Sequence, residues 1–189
     1  MGKQFNFKIE SILPYSALCK AHGIVDFLTL CNRLKNLPYG RTKNKNDFSS
    51  ILTEHKGTCS TKHAFIKQVA IENNCVDLQL FIGIYKMNED NTRGVGRVLA
   101  NTCLEYIPEA HTYLKINGKI IDLTRATNSV ESFQNTLLTE TKILPTAIVD
   151  FKTNYHQNYL KQWLIKQNIK YKFDALWRIR ELCIRALSA

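Results

Sequence analysis

Glu109-Ala110-His111-Thr112-Tyr113-Leu114-Lys115-Ile116-Asn117-Gly118-Lys119-Ile120-Ile121-Asp122-Leu123-Thr124 is the stretch that decides the fold. Asn-Gly between two such runs is the strongest short hairpin signal and predicts a two-residue type I′ turn. The turn sets the register: Ile116 pairs with Lys119, Leu114 with Ile121, Tyr113 with Asp122, and His111 with Thr124. Paired residues share a face. One face then carries Thr112, Leu114, Ile116, Ile121 and Leu123, which is mostly core. The other carries His111, Tyr113, Asp122 and Thr124. His111 and Asp122 become diagonal neighbours, with Cβ atoms roughly 7 Å apart. A carboxylate there fixes the tautomer of an imidazole and stabilises its protonated form.

Outward from the hairpin, the pattern predicts strands at Val76–Met87, Ala110–Ile116, Lys119–Thr124 and Lys142–Val149. Leu78, Leu80, Ile82 and Ile84 alternate along the first of these. Helical spacing runs through residues 16–36, with Gly23 splitting it and Leu37-Pro38-Tyr39-Gly40 closing it. A short turn follows at Ser49–Glu54, and a helix runs from Thr58 or Cys59 to about Asn73. Asn88–Gly96 is a polar loop. The tail from Thr153 to Leu187 is helical in one or two pieces. Helices, then strands, then helices indicate an α+β fold rather than alternating βαβ units.

Lys56-Gly57-Thr58-Cys59-Ser60-Thr61-Lys62-His63 carries the chemistry. A glycine turn leads into a helix whose first residue is a cysteine, with Thr58 as N-cap. The partial positive charge of a helix N-terminus favours thiolate over thiol. A helix-start cysteine, a strand histidine and a strand aspartate, in that order, are the groups nucleophilic acyl chemistry requires. His55, Cys59 and His63 are spaced by four, but Gly57 interrupts any helix that would align them as metal ligands. Gly94-Val95-Gly96 lacks the third glycine of a dinucleotide fingerprint. No cofactor or metal is expected, and Cys19, Cys31, Cys75, Cys103 and Cys183 read as packing residues.

Gly57-Thr58-Cys59 before a helix, His111-Thr112-Tyr113 on a strand and Asp122-Leu123-Thr124 on the next resemble the transglutaminase-like superfamily, which shares the papain-like cysteine protease architecture. The resemblance covers roughly residues 45–125. It implies Cys59 as nucleophile, His111 as base and Asp122 as the residue that orients it. Ser60 and Tyr113 stand where the family often has an aromatic residue and a Trp; Tyr113 can pack as the Trp does. The backbone N–H of Cys59 is one oxyanion donor. No Gln lies between Gln4 and Cys59 to be the second, which leaves Tyr39 and His55 as substitutes. The expected protein is a single transglutaminase-like domain over 1–189 with a helical extension at 151–189. It attacks an amide or ester carbonyl of a protein or peptide-like substrate, and hydrolysis is favoured over transfer to an amine. The alternative is an inactive module of the same fold that binds a protein or nucleic acid through its basic surface.

The chain has 189 residues, 44% hydrophobic and 22% charged, with formal charge +10. This is an ordinary globular composition that excludes bulk disorder and low complexity. No apolar core marks a signal peptide, no window is long enough to span a bilayer, and Asn6 breaks the myristoylation pattern of Met1-Gly2. A cytoplasmic protein with reduced thiols and no membrane partner is expected. From Phe151 onward the tail has eight Lys/Arg and two acidic residues, interleaved with Tyr155, Tyr159, Trp163, Tyr171, Phe173 and Trp177. Such a helix either binds nucleic acid or is amphipathic with core aromatics and solvated lysines; the second reading is preferred.

Overall fold

The computed structural model describes residues 5–125 and 133–187. Met1–Gln4, where the myristoylation reading falls, and Ser188–Ala189 at the end of the tail lie outside them. The elements run α1 (Pro14–Ala21), α2 (Phe27–Lys35), α3 (Ser50–Thr53), α4 (Cys59–Glu72), β1 (Gln79–Met87), α5 (Gly96–Leu99), β2 (Ile107–Ile116), β3 (Lys119–Ile121) and β4 (Leu137–Ile143). A 3-10 turn at Pro145–Ile148, α6 (Asp150–Lys166) and α7 (Phe173–Ala186) complete the order. The fold is α+β, with a four-stranded antiparallel sheet in the order β3-β2-β1-β4. Among the described residues no helix is long and apolar enough to cross a membrane.

The hairpin takes the expected register next to the turn, but the ladder stops at Leu114–Ile121, short of the expected Tyr113–Asp122 and His111–Thr124 pairs. Leu114 faces Ile121, Lys115 faces Ile120 and Ile116 faces Lys119. Asn117 (φ 49°) and Gly118 (φ 75°) both lie in the left-handed region, which a type I′ turn demands of its two central residues. The strand expectations need correction: β1 starts at Gln79 rather than Val76 and β2 at Ile107 rather than Ala110. β3 ends at Ile121, not Thr124, because the Asp122 side chain there captures the backbone N–H of Thr124 at 2.9 Å and turns the chain. The last strand is Leu137–Ile143, not Lys142–Val149. Pro145 has no N–H for a ladder and opens a 3-10 turn instead; the apolar run around it imitates a strand. The second hairpin face is not open to solvent: Tyr113 is fully buried and stacks on Phe81 at 6.2 Å, and Asp122 and Thr124 are buried as well.

The chain divides into two compact units. The first comprises Met1–Phe81, Thr112–Asn128 and Lys142–Ile148. Its centre is α4. Thr58 accepts from the backbone of Thr61, and Thr61 Oγ1 accepts from the backbone N–H of Thr58 at 2.9 Å, so the helix starts on a reciprocal cap. Buried side chains occur all round α4, and α1, α2 and the 3-10 turn pack on it. A helix buried on every side must find partners for its polar groups. Glu72 accepts from the backbone N–H groups of Tyr15 and Ser16 and from the Ser16 hydroxyl. Its carboxylate thereby satisfies the first turn of α1, where negative charge is favoured. Lys67 donates to the carbonyl of Leu78 at 2.7 Å.

The second unit comprises Ile82–His111, Ser129–Thr141 and Val149–Ala189. The helical tail packs into it. Leu160, Trp163, Leu176 and Cys183 are buried, while Lys161, Lys166, Lys170 and Lys172 are exposed. The amphipathic reading of these helices therefore holds for Trp163. A buried ion pair anchors α7: Arg180 grips both Glu109 oxygens, its Nε at 2.7 Å from Oε2. His156 donates through Nε2 to the carbonyl of Pro108 at 2.8 Å. Burial pushes the Glu109 carboxyl up, but Arg180 and His156 outweigh it and hold the pKa below the usual range.

Removing one partner of such a pair strands the other charge. Arg180→Met is expected to cost about 3–5 kcal/mol at neutral pH. A carboxyl with a depressed folded pKa stabilises above its unfolded pKa, and that stabilisation is lost as pH falls through the folded value. The gap between variant and parent should therefore narrow in acid. Urea unfolding at pH 7 and about pH 3, followed by Trp163 and Trp177 fluorescence, reads this; equal stabilities at pH 7 would show that the pair anchors nothing.

Candidate functional site

Cys59 is the first residue of α4, as the glycine-threonine entry predicts. Gly57 before it sits in close quarters: a Cβ would lie 3.0 Å from Lys62 Cγ and 3.1 Å from Thr61 Oγ1, so those side chains would have to give by a few tenths of an ångström. The same glycine is tied to the Pro38–Gly40 segment by a short parallel bridge. Cys59 is buried, and its Sγ lies 3.8 Å from the Ser60 hydroxyl. Ser60 in turn meets Thr112 Oγ1 at 3.2 Å. The residues directly following Cys59 and His111 in the chain are thus joined.

Asp122 is buried just past β3. One oxygen, Oδ1, accepts from the backbone N–H and the hydroxyl of Thr124. The same Oδ1 lies 3.6 Å from Nε2 of His63. His63 is fully buried one turn beyond Cys59 on α4. Its Nδ1 is 2.7 Å from the Cys59 carbonyl, so it carries the proton, and its Nε2 accepts from the backbone N–H of Leu123 at 2.8 Å. These partners assign a neutral imidazole. His63 links the backbone at the nucleophile to the segment that holds Asp122. Four-residue spacing from Cys59 places both on one helical face.

Lys62 is a further buried polar residue in this region. Its Nζ donates to the carbonyls of Leu37 at 2.6 Å and Thr124 at 2.9 Å. Burial pulls its pKa down to about 8, against the attraction of Asp122 and Cys59. A neutral amine has two N–H donors, one for each carbonyl. His111 belongs to the other unit and is half-buried. There its ring meets Phe133 edge-on at 4.7 Å and Tyr85 at 6.0 Å. Nothing in the local sequence pairs His111 with Phe133, which follows 22 residues later.

Of the two substitutes for a second oxyanion donor, Tyr39 is half-buried with the Arg125 guanidinium 5.1 Å over its ring. His55 is exposed with φ 51°. It precedes α4, so it does not share a helical face with Cys59 and His63. Among the described residues no group of three His, Cys, Asp or Glu side chains is placed to hold a metal, and no cysteine is in a disulfide. Burial pushes the thiols of Cys19 and Cys31 up to about 12 and that of Cys183 up to about 11. No protein-family model, curated protein or solved structure matches the chain.

The Lys62 amine gives a pH signature. Its pKa falls from the usual 10.5 to about 8 on folding, so between these values the unfolded chain binds more protons and stability rises with pH. The Lys62→Met variant has no group at that position to titrate. Relative to it, the parent should gain up to about 3 kcal/mol between pH 7 and pH 10.5. Urea unfolding of both proteins across that range measures it. A constant difference would mean that Lys62 keeps an ordinary pKa in the folded protein.

Proposed function

We propose that the protein is a thiol-dependent acyl-transfer enzyme of transglutaminase-like type, built on a papain-like core, that hydrolyses an amide or peptide bond. Cys59 is the nucleophile, His111 the base and Asp122 the residue that orients it. The observation that carries this reading is Cys59 at the first position of a fourteen-residue capped helix, where the dipole favours a thiolate. The buried, hydrogen-bonded Asp122 supports it. The thiols pushed up by burial, Cys19, Cys31 and Cys183, are poor nucleophiles at neutral pH. The reduced thiols the mechanism needs fit the cytoplasm.

In the proposed reaction the Cys59 thiolate attacks the substrate carbonyl carbon. The resulting oxyanion is held by the Cys59 backbone N–H. Protonated His111 gives its proton to the leaving amine as the C–N bond breaks, which leaves a thioester on Cys59. Neutral His111 then takes a proton from water, the hydroxide adds to the thioester, and the C–S bond breaks to return the thiolate. Asp122 stabilises the imidazolium that is present before the first proton transfer and is formed again in the second half.

The test is limiting iodoacetamide at neutral pH followed by peptide mapping, with Cys59-dependent hydrolysis of an activated ester alongside it. Cys59 should be alkylated ahead of the other five thiols. Asp122→Asn should keep the fold, because an amide oxygen can still accept from Thr124, yet lose up to ~10⁴-fold in turnover by analogy with triads in general. Gly118→Val should lose stability and activity together, because a β-branched residue resists the positive φ of the turn. Labelling of Cys75 or Cys103 with Cys59 untouched, or wild-type turnover in Asp122→Asn, overturns the assignment.

A further inference from the structure

We infer that the solvent face of the α6–α7 helical pair is a docking surface for single-stranded nucleic acid. Residues 151–173 contain no acidic residue, and five lysines fall within them. Lys161, Lys166, Lys170 and Lys172 are exposed, gathered at the end of α6, in the turn and just before α7. Arg178 and Arg185 add two more exposed cations on α7; the exposed acids of the pair are Asp150 and Asp174, outside the acid-free stretch. Glu181 is taken by Arg180.

The exposed face of α6 is uncommon in what lies between its charges. Asn154, Asn158 and Gln162 recur at four-residue steps and all face solvent. Phe151 is 48% exposed, and one side of its ring stacks on Tyr155 at 5.9 Å and 15°. Lysines neutralise phosphates without regard to sequence. Neutral amides donate to and accept from base edges, and an aromatic ring offers a stacking platform. α6 is about 25 Å long, so this row of groups spans several nucleotides. A duplex hides its base faces and would use only the lysines. A membrane surface would want an apolar strip where the three amides stand. Single-stranded nucleic acid is the partner that uses lysine, amide and ring together.

The experiment uses the full chain and a fluorescein-labelled single-stranded RNA of mixed sequence, read by anisotropy across a salt series. A duplex of the same sequence and vesicles of phosphatidylserine and phosphatidylcholine serve as alternative ligands. The single strand should bind at low salt at least roughly tenfold more tightly than the duplex. Replacing Lys161, Lys166, Lys170 and Lys172 together by Gln should lower the slope of log K against log salt by about 3. Asn154→Ala with Asn158→Ala and Gln162→Ala should weaken binding while leaving that slope unchanged. Cys59→Ser should bind as the parent does, so a failure of the acyl-transfer reading leaves this result untouched. No binding at low salt, equal affinity for strand and duplex, preference for vesicles, or indifference to both sets of substitutions overturns the proposal.

Discussion

The first unit depends on a helix that is enclosed along most of its length. α4 buries residues around its whole circumference, so every polar side chain on it must be answered from within. Many of the answers come from the backbone of segments that wrap it, and the Ser16 and Thr112 hydroxyls meet Glu72 and Ser60. Glu72 holds the start of α1, and Asn73 at the helix end accepts from the backbone of Glu10 and Ser11. Lys67 holds the entry to β1 through Leu78, and Lys62 holds Leu37 and Thr124. His63 holds Leu123. These contacts supply direction that apolar packing lacks. Hydrophobic burial would tolerate small slides of the loops around α4, whereas a buried ammonium or carboxylate that loses its partner costs the desolvation of the group.

What the sequence makes legible follows from how local each cause is. The Asn117-Gly118 turn and the Thr58–Thr61 cap are satisfied within four residues, and both stand where their residue types place them. Gly23 separates α1 and α2 with φ +71° for the same reason. The limits of β3 and the position of β4 are not local in this sense. Ile121-Asp122-Leu123-Thr124 continues the alternation of a strand, but the Asp122 carboxylate closes on Thr124 and ends it. Leu137–Ile143 is polar enough to read as loop, and is a strand because β1 lies beside it. The apolar residues around Pro145 instead cover α4 as a 3-10 turn.

The candidate site divides along the same line. Cys59 is legible because its distinction is a helix start, a property of neighbours in sequence. Asp122 is legible only through the hairpin, whose pairing stops at Ile121, one residue before it. His63 and Lys62 are hidden because residues of their type on a helix usually face water. Their role exists only where a helix is enclosed, and the low amphipathicity that announces enclosure is spread over the whole of Cys59–Glu72 rather than held in any motif. Phe133 beside His111 is a contact between distant segments, with no pattern in either to announce it.

The charge of +10 is therefore not one property. Lys62 and Lys67 sit in the first unit as pins, withdrawn from water and bonded to carbonyls; they are held inside the unit, out of reach of a docking partner. Arg180 in the second unit is engaged by Glu109 and Glu181. The cations that act on solvent are the exposed ones, and along α6 and the turn to α7 no acid after Asp150 dilutes them. Composition counts all of these alike, because burial is decided by packing partners far away in sequence. Once the pins are set apart, the exposed charge of the second unit concentrates on one helical pair, and its effect on a partner is a question of geometry rather than of total charge.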